Sequence, residues 1–161
     1  MEISREILLK LKTEVKVYYN SLKEVYCPFF SESIKFTSEG FYHIFYKNPF
    51  RPKERDKNSQ FIRLKLFKLA PILLKKSATV QEYFCENRFV AVKFNKRKEK
   101  ILKKIQYWGF IGIINDRKIK VIVKQTGEGE KKFWSIIPNW TTRKSHEDNK
   151  IITHAGDLES D

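Results

Sequence analysis

Cysteine is almost missing from this chain: Cys27 and Cys85 are far apart and belong to no CxxC or Cys/His array. That excludes a disulfide framework or a zinc-ribbon site. Both thiols, beside Tyr26 and Phe84, are expected as buried, reduced side chains of a cytosolic protein. Histidine is equally scarce, at His43, His146 and His154. With no HxxH, HExxH or Asp-rich ligand set, a resident catalytic metal is not expected. There is no Walker A loop, since TGEGEK at 126–131 has the wrong spacing, and no GxSxG elbow. Nucleotide hydrolysis, acyl transfer and redox chemistry therefore lack their parts, and no cofactor is expected. No run approaches the ~18 continuous apolar residues of a membrane span. Ile7-Leu8-Leu9 is cut short at Lys10, well before a secretory core could form. The expectation is a cytoplasmic protein with no membrane partner. Acidic residues are outnumbered, 19 against 33 Lys and Arg, for a net charge of +14. Such a surplus calls for a polyanionic partner, with RNA or DNA first.

What is present is a foldable chain. Its 161 residues suit one domain, and 41% apolar content with 13 Phe, 7 Tyr and 3 Trp is enough for a core. Residues 1–146 read as a single basic α+β domain. Residues 147–161, with Glu147, Asp148, Asp157, Glu159 and Asp161 against Lys150, read as an acidic, mobile C-terminal tail. Ile7, Leu8, Leu11, Val15, Tyr18, Tyr19 and Leu22 recur at helical spacing, predicting a helix from Ser4 to Val25 with Ser4 as its cap. Ile34–Thr37 suits a short strand, and Phe41–Phe45 has no clean period and fits strand or helix. KNPFRPKERDKN at 47–58 reads as an exposed basic loop. Ser59–Lys76 reads as a second helix capped by Asn58 or Ser59 and kinked at Pro71. Thr79–Phe84 is again ambiguous.

From Gln106 to Trp140 the sequence reads as three consecutive strands. Asn115–Lys118 makes the first hairpin turn and Thr126–Gly129 the second. The predicted fold is N-terminal helices packed on a small twisted antiparallel sheet, a three- to four-stranded meander. If Lys124 pairs with Lys132, one face carries Lys120, Ile122, Lys124, Lys132, Trp134 and Ile136. The other face, against the helices, carries Val121, Val123, Phe133, Ser135 and Ile137. A slip of one residue would move Ser135 to the lysine face. Facing lysines repel one another unless an anion sits between them. Trp134 beside them offers a surface on which a base can stack. Lys96, Arg97, Lys98, Lys100, Lys103 and Lys104 form the densest positive patch. Together with Lys120, Lys124 and Trp134 they are the candidate nucleic-acid contacts. RNA carries its own nucleophile, the 2′-hydroxyl, so its cleavage needs only Lys, Arg, His and hydroxyl side chains and no cofactor.

The order of elements, with a histidine before an Arg-bearing helix and a meander ending Lys132-Phe133-Trp134-Ser135-Ile136-Ile137-Pro138, resembles a known superfamily. It is that of the barnase, EndoU, colicin and RelE metal-independent ribonucleases, especially phage-associated and toxin-type members. The likeness spans residues 31 to 140. It implies catalytic roles for His43, Arg63, Lys132 and Ser135. It leaves the general acid unassigned, because no histidine closes the last strand. The implied activity is endonucleolytic transesterification of tRNA, rRNA or mRNA to a 2′,3′-cyclic phosphate, with an acidic antitoxin or immunity protein as a possible second partner. Two other readings remain open: a non-catalytic RNA- or DNA-binding module, and a regulatory protein whose charge serves an acidic partner.

Overall fold

The computed structural model describes residues 2–47 and 52–139. Helix α1, Arg5–Leu22, starts where the Ser4 hydroxyl accepts the Ile7 N–H at 3.2 Å. It ends at Lys23, whose φ of 54° redirects the chain into strand β1, Glu24–Cys27. A turn with Ser31 at φ 53° leads back along β2, Glu32–Lys35. Helix α2, Ser38–Phe45, resolves the ambiguous aromatic run as helical and passes into a small ribbon of β3, Tyr46–Lys47, and β4, Lys53–Glu54. Asp56, rather than Asn58 or Ser59, caps helix α3, Lys57–Leu66, by accepting the Ser59 N–H at 2.8 Å. The expected single helix is two, because the chain breaks after Leu66 and restarts as α4, Leu69–Lys76. Pro71 lies in the first turn of α4, where its missing N–H costs no helical hydrogen bond.

The remaining chain is strand: β5, Glu82–Phe94; β6, Arg97–Ile114; β7, Arg117–Thr126; and β8, Lys132–Pro138. Asn115 and Asp116, at φ 50° and 62°, make the expected tight turn, and Gly127 at φ 57° helps form the next. The main sheet has the order β1-β2-β8-β7-β6-β5, and β2 runs parallel to β8 through Lys35↔Lys132. This overturns the predicted small antiparallel meander. The class is α+β, but among the described residues the main sheet is mixed and six-stranded, and the four helices, all between Arg5 and Lys76, are interleaved with strands β1–β4. The error has a physical source. Beyond Glu86 and Ile105, the described side chains of β5 and β6 are exposed or half-buried with charged residues on both faces, so they show no clean alternation of apolar and polar residues.

On the helix side, Tyr19, Phe36, Phe67 and Phe133 form one aromatic cluster, with Tyr19 and Phe67 centroids 5.1 Å apart. Helix α2 reaches this layer at Gly40, which touches the backbone of Phe133. A Cβ there would crowd the Phe133 carbonyl and stand 2.7 Å from the Tyr19 hydroxyl. Gly40→Ala should therefore cost about 1–3 kcal/mol, read as a shifted urea midpoint with an unchanged slope. An unchanged midpoint would mean that α2 can move away from β8 at no cost.

Lys124 does pair with Lys132, as the pattern predicts, but the ladder slips between Ile122 and Val123. Ser135 then pairs with Ile122, and Ile136 with Val121. The predicted faces are corrected accordingly. Ile136 joins Val121, Val123 and Phe133 in the helix-side core, while Trp134 packs with Ile105, Tyr107 and Ile122 on the opposite face. Ser135 moves to that second face with its partner Ile122. A bulge of this kind gives two residues on one strand to one on its neighbour and aims both side chains anew. The thiols also differ: Cys27 is buried and Cys85 is exposed.

Candidate functional site

The bulged segment of β8 gathers most of the predicted site. Across the sheet, Phe84, Tyr107, Lys124 and Lys132 stand in register on β5, β6, β7 and β8. The Lys124 ammonium lies 4.0 Å from the centre of a Trp134 ring and 5.8 Å from that of Tyr107. This is a close cation–π contact at the first ring. His43, near the end of α2, stacks on Trp134 at 4.0 Å with 20° between the planes. Helices α2 and α3 both lie against β8, so residues far apart in sequence meet at this strand.

Two arginines complete the cluster. Arg55 donates from Nε to the His43 carbonyl at 3.0 Å and sets Nη2 2.9 Å from His43 Nε2. A guanidinium has only donors, so Nε2 accepts and the imidazole proton resides on Nδ1. Gln60 holds the Arg55 carbonyl at 2.6 Å. Arg63 donates from Nη1 to the Ser135 hydroxyl at 2.6 Å, with its Nε 3.4 Å from the Ser59 hydroxyl. His43, Arg55, Arg63 and Ser135 are all buried. Burial first, and then the positive charges of Arg55, Arg63 and Lys124, push the His43 pKa from 6.5 down to about 2. The imidazole is therefore neutral at physiological pH.

Glu39, Tyr42, His43, Tyr46, Lys124 and Trp134 line a cleft of about 90 Å³. That is well below the ~300 Å³ at which small-molecule pockets begin. It suits one phosphate group or the edge of a base, with the rest of a polymer outside. Tyr42 and Tyr46 stack at 4.5 Å and 20°, and Tyr42 is 45% exposed, which gives the cleft mouth an aromatic lip. A larger cleft, about 750 Å³, lies between α3 and the β6–β7 turn, lined by Phe61, Ile62, Leu66, Lys65, Arg117 and Pro138 among others. It holds no comparable convergence of hydrogen-bonded titratable groups.

Of the predicted catalytic set, His43, Arg63 and Ser135 thus come together, and Lys132 stands beside them in register with Lys124. Of the predicted contacts, Lys124 and Trp134 belong to the cluster. Lys120 does not, because its ammonium is buried in an ion pair with Glu82 at 3.3 Å. Lys96, Arg97, Lys98, Lys100, Lys103 and Lys104 lie on the β5–β6 hairpin. His146, His154 and the acidic stretch 147–161 fall outside the described residues. Reading the sequence missed Arg55, Glu39, Tyr42 and Tyr46. Arg55 was hidden among the other cations of the 47–58 loop. The tyrosines were visible only as part of an aromatic run whose helical phase was undecided.

No family model, curated protein or solved structure matches this chain. The site has to be interpreted on its own chemistry. Among the described residues, no three His, Cys, Asp or Glu side chains converge as a metal site. No described helix is long and apolar enough to cross a membrane.

Proposed function

We propose that the chain is a metal-independent endoribonuclease that cleaves RNA by attack of its own 2′-hydroxyl. The observation that carries this reading is the convergence of Arg55, Arg63, Lys124, His43 and Ser135 around the bulge of β8, beside an aromatic surface. A phosphate bound beside Arg55, Arg63 and Lys124 would be attracted by their charge, and more so once the phosphorus gains negative charge. In the reaction the O2′–P bond forms and the P–O5′ bond breaks. The 2′ proton leaves to a base, and the 5′ oxygen takes a proton. Lys124 and Arg63 suit the non-bridging oxygens, and Tyr42 and Tyr46 suit the neighbouring bases, whereas Trp134 is buried with its rings covered by His43 and Lys124. His43 enters neutral, so any proton it handles it first accepts, and only if Arg55 releases Nε2 to the phosphate. The acidic antitoxin or immunity partner, the toxin or phage association and the cytoplasmic location rest on net charge and on the resemblance.

Incubation with bulk tRNA and rRNA should give discrete products bearing cyclic phosphate termini, undiminished in EDTA. Activity lost in chelator and restored by Mg²⁺ would overturn the mechanism. The second reading, a non-catalytic RNA-binding module, is favoured by one observation: His43 and Ser135 are 2% and 1% exposed. It predicts a salt-sensitive complex with no products in the same assay.

A further inference from the structure

Strand β7 leaves the sheet at Thr126, opposite Ile105, while β5 and β6 continue as a pair from Glu86↔Ile105 to Phe94↔Arg97. At the ~3.3 Å rise of a strand residue this is a two-stranded ribbon about 25 Å long. Its cations occupy both faces. Arg88, ion-paired with Glu86, and Lys103 and Arg97 continue the side that bears Tyr107 and Lys124, where Glu86 and Glu99 also stand. Lys93, Lys98, Lys100 and Lys104 continue the helix-covered side, and Lys96 is in the turn. Between the lysines of the second side, Phe89 and Leu102 face each other across the ladder, 62% and 56% exposed. An apolar cross-strand pair left this far in water contributes little to the fold.

A ribbon that lies flat on an extended strand needs cations on one face. A ribbon set into a groove meets phosphate walls on both sides, and its apolar pair packs between them. We infer that the β5–β6 ribbon holds a double-helical stem of RNA, with Phe89 and Leu102 in the wide, shallow minor groove and the lysines on the flanking phosphates. A-form helices expose sugars and base edges in that groove, whereas their major groove is too deep and narrow to enter. The choice of RNA rests on the ribonuclease reading. The substrate class that follows is a folded RNA whose stem sits on the ribbon while an adjoining unpaired strand crosses Lys124 and Tyr42.

The test measures binding by the full chain to an RNA stem-loop, to the loop sequence as an unpaired oligonucleotide, and to a DNA duplex of the stem's sequence. Phe89→Ser combined with Leu102→Ser should weaken stem-loop binding by at least about tenfold and leave the unpaired oligonucleotide unchanged. Lys98→Gln, Lys100→Gln and Lys104→Gln together should reduce the salt slope for the stem-loop by about 2 to 3. Thermal melting of each variant at the wild-type midpoint keeps the comparison one of binding. Equal loss on all three probes, or no loss on the stem-loop, would overturn the inference. DNA duplex binding as tight and as ribbon-dependent as the stem-loop's would overturn the assignment to RNA. Selective stem-loop binding without cleavage would uphold the ribbon's role and sink only the ribonuclease reading.

Discussion

RNA cleavage by the Ser135→Ala and Arg63→Ala variants should fall by about 10²–10³-fold each, the usual cost of removing one group aimed at a developing charge. The hydroxyl and the guanidinium are joined at 2.6 Å, so they act as a unit. The double variant should therefore be hardly slower than either single one. Binding of uncleaved RNA should change little for Ser135→Ala, which removes no charge. Lys132→Ala and Lys124→Ala should weaken both binding and cleavage, because an ammonium near phosphate helps the ground state as well as the transition state. Arg63 is buried, and Arg63→Ala also leaves a buried hydroxyl with fewer partners, at a cost of about 1–3 kcal/mol. Rates must therefore be taken well below each variant's melting temperature. Arg63→Lys, which keeps a cation but not the fork, should recover part of the rate. Folded variants that cleave at the wild-type rate would remove Arg63 and Ser135 from the mechanism.

Acid should destabilise this protein earlier than its carboxylates alone would require. In the unfolded chain His43 gains a proton near pH 6.5, whereas the fold holds its pKa at about 2. Between those values the unfolded state binds one proton more. Stability is thus intact above pH 6.5 and is lost as pH falls through that window, by at most about 1.4 kcal/mol per pH unit. The groups around the ring include Arg55, Arg63 and Lys124, whose charges oppose the proton, with Glu39, Tyr42 and Tyr46 lining the same cleft. His43→Gln should be less stable than wild type at pH 7, since it loses the stacking on Trp134. Its stability should nevertheless decline more gently between pH 6.5 and 5. Parallel curves for the two proteins, from urea titrations at each pH, would mean that His43 titrates normally in the fold.

The meander of β6, β7 and β8 was legible because its turns carry Asn115, Asp116 and Gly127, and because its inward positions are apolar. The pairing of Lys124 with Lys132, the premise from which the faces were assigned, is the one the ladder has. Ser135 on the site's face was not read correctly, because FWSII alternates equally well with or without a bulge. Only the packing of Phe133 and Ile136 on one side of the sheet requires the extra residue. Strand β1 is too short to announce itself, and β2 was legible with its bounds two residues late, at Ile34–Thr37. The β5–β6 ribbon is charged on both faces and reads in the sequence only as a patch. Arg55 was indistinguishable from its neighbours because nothing in a basic loop marks which cation will turn inward to hold a histidine.

The parallel contact between β2 and β8 has a consequence for how the protein is made. Lys35 and Lys132 are partners 97 positions apart, so the β1–β2 hairpin cannot join the sheet until β8 is synthesised. The cluster itself needs His43, Arg55 and Arg63 from one half and Lys124, Trp134 and Ser135 from the other. Contacts of such long separation form late in folding, and a nascent chain on the ribosome acquires its N-terminal elements first. A translation product that stops before Lys132 therefore contains both arginines and the histidine but no site. Under the proposed activity, a nascent chain would thus remain inert beside the RNA encoding it until β8 had been made.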